Sequence, residues 1–126
     1  MSNGDSNQRT GGGWEQRIEQ DAERLRTGSD PTLLRIRELV ASQGVDIGTS
    51  LVANLMPEDT SVLSGFIVET GGRVHEFEYD WRQMPSDQGQ LAVWRDITDS
   101  YESRAFRDPI SVAVALSRRP APTAVF

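Results

Sequence analysis

Three carboxylates recur at alternate positions near the middle of the chain, in the stretch Glu76-Phe77-Glu78-Tyr79-Asp80-Trp81. Successive side chains of a β-strand point to opposite faces, so Glu76, Glu78 and Asp80 share one face at a spacing of about 7 Å. Acids in such a row can bind a cationic partner, or, inside a cleft, can hold a metal or act as an acid–base pair. The other interpretation is a solvated strand face on which acids discourage edge-to-edge pairing.

The opposite face of the same strand carries His75, the only histidine of the chain, in line with Phe77 and Tyr79. One histidine cannot form a histidine metal cluster, and no G-x-S-x-G motif accompanies it. We therefore expect a packed or hydrogen-bonded side chain instead of a catalytic base. Trp81 and Trp94 fit either a core or a protein interface, where tryptophan is a frequent anchor.

Two residue types are missing from the chain, and their absence excludes several chemistries. The 126 residues include no cysteine, which excludes disulfides, cysteine zinc sites and thiolate nucleophiles. All 13 basic residues are arginine, so a P-loop lysine, a Schiff-base lysine and a lysine general base are excluded too. We expect no catalytic residue, no metal site and no cofactor, and predict that the protein is not an enzyme.

The charge balance indicates the kind of partner. A net charge of −6 argues against a protein that binds nucleic acid through its phosphates and favours basic partners. Much of the excess lies between residues 74 and 108, where four arginines accompany eight acids: Glu76, Glu78, Asp80, Asp87, Asp96, Asp99, Glu102 and Asp108. We expect these arginines, Arg82, Arg95, Arg104 and Arg107, to pair with neighbouring acids.

No apolar stretch approaches the 18 to 20 residues, roughly, that a membrane span needs. The N-terminus also lacks the basic and apolar segments of a signal peptide. We expect a cytoplasmic protein that does not contact a membrane.

The elements that must position these residues follow from the hydrophobic periodicity. Residues 1–13 are nearly all polar or glycine and are predicted to form a disordered leader. One helix is predicted from Trp14 to about Thr27-Gly28, and a second from Ser29-Asp30-Pro31 to just before Gly44. Two short helices joined by a tight turn are expected to form a helical hairpin.

After the helices the period changes to two, which predicts strands at residues 47–56, 61–69, 73–81 and 91–97. Residues 57–60 are interpreted as a turn, and Thr70-Gly71-Gly72 as a hairpin turn. Short sequential connections favour an antiparallel meander of three to four strands with the helical hairpin packed on one face. The predicted fold class is therefore α+β.

The C-terminal part gives conflicting signals. Residues 98–102 have the composition of a helix start, and Asp108-Pro109 reads as a cap followed by a first-turn proline, which predicts a short C-terminal helix. The alternation of Ile110, Val112, Val114 and Leu116 is a strand pattern and leaves that alternative open. The single domain is predicted to span residues 14–117, followed by a flexible tail at residues 118–126.

The stretch Glu76 to Trp81, followed after a short loop by Trp94-Arg95-Asp96-Ile97-Thr98-Asp99 and a terminal apolar segment, resembles small acidic immunity proteins of bacterial polymorphic toxin systems. The resemblance spans residues 60–117. It implies a protein without catalytic activity that neutralises a cognate toxin, often a basic nuclease, by covering the toxin's active site.

The leading hypothesis is a non-enzymatic binding protein, an immunity or inhibitor protein, whose acidic strand face engages a basic protein. The predicted partner-binding residues are Glu76, Glu78, Asp80, Trp81, Trp94, Asp96, Asp99 and Glu102. The alternative is a small-molecule or peptide-binding domain with a pocket between sheet and helices, which also allows a homodimer. Its ligand effects would map to Phe66, Phe77 and Tyr79. A third hypothesis is a small hydrolase that uses a carboxylate pair.

Overall fold

The computed structural model describes residues 13–119. Three α-helices and four β-strands follow one another in the order α1 (Gly13–Thr27), α2 (Pro31–Ser42), β1 (Leu51–Asp59), β2 (Val62–Val68), β3 (Val74–Asp80), β4 (Gln90–Asp96) and α3 (Arg107–Ser117). The strands form one antiparallel sheet in the order β1-β2-β3-β4. The predicted α+β fold, with a helical hairpin, a meander and a short C-terminal helix, is confirmed.

Local hydrogen bonds fix the start of α2 and its contact with the end of α1. The Asp30 side chain caps α2 by accepting the Thr32 N–H at 2.7 Å, and Pro31 occupies the first turn, where a missing N–H is harmless. Arg37 in α2 donates to the carbonyls of Leu25 and Gly28 at 2.8 Å each. These bonds satisfy carbonyls at the end of α1 and fix the two helices against each other.

The sheet is covered on both faces, and each face has its own core cluster. The first cluster lies between the sheet and the helical hairpin and consists of Ala22, Leu25, Leu33, Ile36, Val40, Val45, Val52, Leu55, Leu63, Ile67, Phe77 and Tyr79. The second joins the opposite face to α3 and consists of Ile18, Ala53, Phe66, Val68, Val74, Ile97, Ile110, Ala113 and Val114. Because α1 contributes to both clusters, it packs around the β1 edge of the sheet.

The first strand differs from the prediction at both ends. Residues 47–50 form a turn, which Asp46 stabilises by accepting the Gly48 N–H at 2.8 Å and the Ser50 hydroxyl at 2.7 Å. β1 then continues through Pro57 to Asp59, where a turn was predicted. Proline is tolerated because β1 is an edge strand, in which one row of backbone groups has no ladder partner.

A bulge interrupts β1 between Ala53 and Met56. Asn54 has a positive φ of 54° there, a left-handed conformation that asparagine adopts more readily than most residues. The neighbouring Leu55 N–H points to the buried carboxylate of Asp21 in α1, which also lies 3.3 Å from Arg17 Nε. The carboxylate oxygen Oδ2 of Asp21 nevertheless accepts no well-aligned hydrogen bond from the described residues.

The C-terminal segment is helical, as the Asp-Pro signal predicted, but its start is not the one expected. The helix begins at Arg107, with Phe106 at the cap position and no capping side chain, so Asp108 lies within the first turn. Its buried residues include Ile110, Ala113 and Val114, which have the i, i+3, i+4 spacing of a helix face. A short 3-10 turn at Tyr101–Ser103 stands in the region where a helix start was expected.

Most of the predicted leader (1–13) and tail (118–126) lies outside the described residues. Arg118 is described, and its Nε donates to the Gly71 carbonyl at 3.3 Å, while the Gly71 N–H donates to the Ser117 carbonyl at 3.3 Å. The end of α3 is therefore bonded to the β2–β3 hairpin. Among residues 13–119, no helix has the length and apolar character needed to cross a membrane.

Candidate functional site

A cleft of about 280 Å³ opens beside α3, on the sheet face that carries Glu76, Glu78 and Asp80 and is called the acidic face below. The described residues that line it include three carboxylates, Glu58, Glu76 and Glu78, but only one guanidinium, that of Arg104. The cleft therefore presents an excess of negative charge.

Glu76 is partly enclosed, with 24% of its side chain exposed, whereas Glu58 is exposed. Arg104 approaches both of its oxygens: Nη1 donates to Oε2 at 3.2 Å, and Nη2 lies 3.0 Å from Oε1. Arg95 Nη1 lies farther away, 3.7 Å from Oε1. Although Oε1 is buried under these two guanidinium groups, it accepts no well-aligned hydrogen bond from the described residues.

Glu58 and Glu78 differ from Glu76 in how far they are paired. The Ser64 hydroxyl donates to Glu58 Oε2 at 2.6 Å, which fixes that carboxylate without neutralising it. Ser64 is also the register partner of Glu78, so β2 positions both acids. Within residues 13–119, Glu78 has no cationic group within 4.0 Å, and it is the carboxylate of the row that remains available to a ligand.

An aromatic side chain borders the cleft. Phe106, at the start of α3, is 41% exposed, and with Leu34 and Met84 it is one of three exposed large apolar side chains among the described residues. Its ring centroid lies 6.1 Å from that of Phe66, which is buried in the second core cluster. The cleft thus combines charged groups with an apolar contact surface, an arrangement typical of protein interfaces.

Asp80, the third acid of the predicted row, is already paired. It accepts several hydrogen bonds from Arg82, including one from Nε at 3.0 Å and one from the backbone N–H at 2.9 Å. These bonds hold the pKa of Asp80 below its ordinary value. The expected local pairing of the arginines is confirmed: Arg82, Arg95 and Arg104 contact acids of β3, and Arg107 Nε lies 4.0 Å from Asp108 Oδ1.

The two tryptophans among the predicted partner-binding residues lie on the other face of the sheet. Trp94 is the register partner of Phe77, and both Trp94 and Trp81 pack against the first core cluster. Trp94 stacks on His75 with ring centroids 4.8 Å apart. His75 Nε2 lies 2.6 Å from Glu69 Oε2, so the histidine is packed and hydrogen-bonded as expected.

The remaining predicted acids, Asp96, Asp99 and Glu102, are exposed. Asp96 is the last residue of β4, and the other two follow it. Asp96 binds Arg73 at 2.6 Å and also accepts hydrogen bonds from Thr98. The eight predicted residues therefore do not share one surface, because the acids of β3 and the tryptophans are separated by the sheet.

A second, smaller concavity of about 210 Å³ lies between the helical hairpin and the sheet. Its apolar lining consists of Leu33, Pro57, Leu63 and Trp81, and its polar lining of Arg24, Asp30 and Thr32. This groove lies where the alternative hypothesis expected a pocket. Phe77 and Tyr79, to which ligand effects were assigned, are instead fully buried, and Phe66 lies on the opposite face.

The sequence interpretation missed Glu58 and Phe106 as members of the acidic cleft. Glu58 was assigned to a turn, and an exposed aromatic residue has no signature in a single sequence. Within residues 13–119, no three His, Asp or Glu side chains are grouped so that they could hold a metal ion. Comparison with protein-family models, curated proteins and solved structures finds no match for this chain.

Proposed function

We propose that the protein is a non-enzymatic binding protein whose acidic cleft engages a basic protein partner. The observation that carries this proposal is the convergence of Glu58, Glu76 and Glu78 on one cleft beside the exposed ring of Phe106. Carboxylates held close together repel one another, and a cationic partner group relieves that repulsion.

The two kinds of lining residue have different roles in this proposal. The carboxylates steer association and bind cationic side chains, which makes the on-rate dependent on salt. Phe106 supplies apolar area that is buried on binding. It takes the role that the sequence interpretation gave to the tryptophans, which lie on the other face of the sheet.

A toxin-neutralising role is the specific form of the proposal, and it rests on the resemblance to immunity proteins. A basic nuclease binds phosphate through arginine and lysine side chains. Carboxylates at the cleft would occupy those side chains and exclude the nucleic-acid substrate.

The proposal is tested by affinity capture from the native host's lysate at low and high salt, followed by titration of the purified captured protein. Wild type is compared with Glu58→Gln/Glu76→Gln/Glu78→Gln. The matched control, Glu19→Gln/Glu23→Gln/Glu38→Gln, removes the same charge from exposed positions on the helical hairpin. Circular dichroism confirms that each variant is folded.

We expect wild type and the control to capture one basic protein that the cleft variant loses, with an affinity that falls as salt rises. Equal capture by all three proteins would contradict the proposal. So would equal loss in both variants, because that result would reflect net charge alone.

The groove beside Trp81 favours a second candidate function, the binding of an apolar ligand or peptide side chain. Its lining is mainly apolar, with a few polar groups at the edge, as in small-ligand sites. Substitution of Leu63 or Trp81 would then abolish binding, and the acidic-cleft variant would bind normally.

A further inference from the structure

The Arg104 guanidinium lines the acidic cleft and contacts Glu76, whose side chain is 24% exposed. Its two nitrogens approach the two carboxylate oxygens at 3.0 and 3.2 Å, in the side-by-side manner that guanidinium and carboxylate groups favour. The cleft thus already accommodates a guanidinium group that belongs to the chain itself.

The contact between Arg104 and Glu76 leaves one carboxylate oxygen, Oε1, without a hydrogen bond within residues 13–119. The atom is covered by Arg104 and Arg95 yet receives no well-aligned hydrogen bond from the described residues. A buried charged acceptor without an aligned donor is unfavourable. An external donor reaches this oxygen only if one of the two covering side chains moves away.

We infer that Arg104 is a built-in occupant of the cleft, and that an arginine side chain of the basic partner replaces it on Glu76. This inference rests on the proposed function. A planar guanidinium fits the position better than an ammonium group, because it matches both carboxylate oxygens.

The exchange is energetically feasible because one ion pair replaces another. The free energy lost when Arg104 leaves Glu76 is nearly regained when the partner arginine binds there. The net gain comes from contacts that Arg104 does not make. A partner arginine that enters from solvent passes the unpaired Glu78 and the exposed ring of Phe106, over which a guanidinium can stack. Arg104 lies between the 3-10 turn and α3 and is 30% exposed, so its side chain can rotate toward solvent.

Arg95 provides a matched control for a test of this inference. It carries the same charge and contacts the same carboxylate, but at 3.7 Å, with 60% of its side chain exposed and outside the cleft lining. Arg104→Gln and Arg95→Gln therefore each remove one positive charge near Glu76. Only Arg104→Gln removes the guanidinium group that occupies the cleft.

The experiment titrates a labelled hexa-arginine peptide, with hexalysine for comparison, into wild type, Arg104→Gln and Arg95→Gln and follows fluorescence anisotropy. We expect Arg104→Gln to lower the Kd for hexa-arginine about fivefold, the effect of removing one partly exposed competing ion pair. Arg95→Gln should change the Kd less, and Arg104→Lys should lie between wild type and Arg104→Gln. The gain should be smaller with hexalysine.

Equal changes in Arg104→Gln and Arg95→Gln would overturn the inference and leave the proposed function standing, since net charge would explain both. Weaker binding by Arg104→Gln, with circular dichroism unchanged, would also overturn it, because Arg104 would then position Glu76 for the ligand. No binding of either peptide by any of the proteins at low salt would contradict the proposed function as well.

Discussion

The Asp96 carboxylate accepts two hydrogen bonds from Thr98, one from its backbone N–H at 2.9 Å and one from its hydroxyl at 2.6 Å. The same hydroxyl accepts the Val74 N–H at 3.0 Å, which ties the turn after β4 to the start of β3. Together with a weaker contribution from Arg73, the bonds from Thr98 lower the pKa of Asp96 to about 2 from its ordinary 3.8.

The lowered pKa of Asp96 predicts a loss of stability in acid. The ionised carboxylate stabilises the fold above about pH 4, and this contribution disappears as the pH falls toward 2. At pH 7, Asp96→Asn should lower the free energy of unfolding by about 1 kcal/mol, a modest value because the side chain is 43% exposed. Urea denaturation at several pH values should show that the difference in free energy of unfolding between wild type and Asp96→Asn shrinks below pH 4. A difference independent of pH would contradict this explanation.

Asp21 should give the opposite pH dependence. Burial raises its pKa above 3.8, although Arg17 and the Leu55 N–H act in the other direction. A carboxyl group whose pKa is raised by folding destabilises the fold once it ionises, as the pH rises from 3.8 through the raised value. Asp21→Asn should therefore gain stability relative to wild type between about pH 4 and pH 7. Thermal melts of both proteins across that range check this, and a constant difference would show that Asp21 does not titrate as proposed.

The Tyr79 hydroxyl closes the loop between β3 and β4. It donates to the Ser86 carbonyl at 2.6 Å and accepts the buried Gly89 N–H at 2.8 Å. Tyr79→Phe leaves that N–H without a partner and should lower the free energy of unfolding by about 1 to 3 kcal/mol. Chemical denaturation measures the loss. Partner affinity at a temperature where the variant is folded should be unchanged, because the hydroxyl is remote from the acidic cleft.

Phe106 and Trp94 should respond in opposite ways to truncation. Phe106→Ala removes an exposed ring from the cleft, so it should weaken partner binding by more than about 1 kcal/mol with little effect on the melting temperature. Trp94→Ala removes a ring that packs on His75 and the first core cluster, so it should lower the melting temperature with little effect on affinity. Calorimetry and titration of both variants separate the two effects. The reverse pattern would place the interface on the helical-hairpin side.

Local sequence signals were sufficient to predict the helical hairpin and the order of the strands. Asp30-Pro31 and Gly44 mark helix ends through the conformations of single residues, which need no distant partner. The extent of β1 was predicted wrongly because Pro57 is tolerated only in an edge strand, and edge position depends on the whole sheet. The second core cluster was missed because it pairs α3 with strand residues far away in the sequence.

Strand alternation placed Glu76, Glu78 and Asp80 on one face and Trp81 on the other, as the structure has them. It gave no information about pairing, and the three acids differ most in that respect. Arg104 reaches Glu76 from a segment 28 positions later, and Glu58 joins the cleft through the Ser64 hydroxyl on the neighbouring strand. Contacts of this kind depend on tertiary packing, which a single sequence does not show.

Amide chemical-shift mapping shows which residues of the protein contact the basic partner. The captured basic protein is titrated into isotopically labelled wild type. We expect the perturbed amides to cluster around Ser64, Glu78 and Phe106 and the perturbations to weaken as salt rises. Perturbations centred on Leu33, Leu63 and Trp81, and insensitive to salt, would contradict this prediction and place binding in the apolar groove.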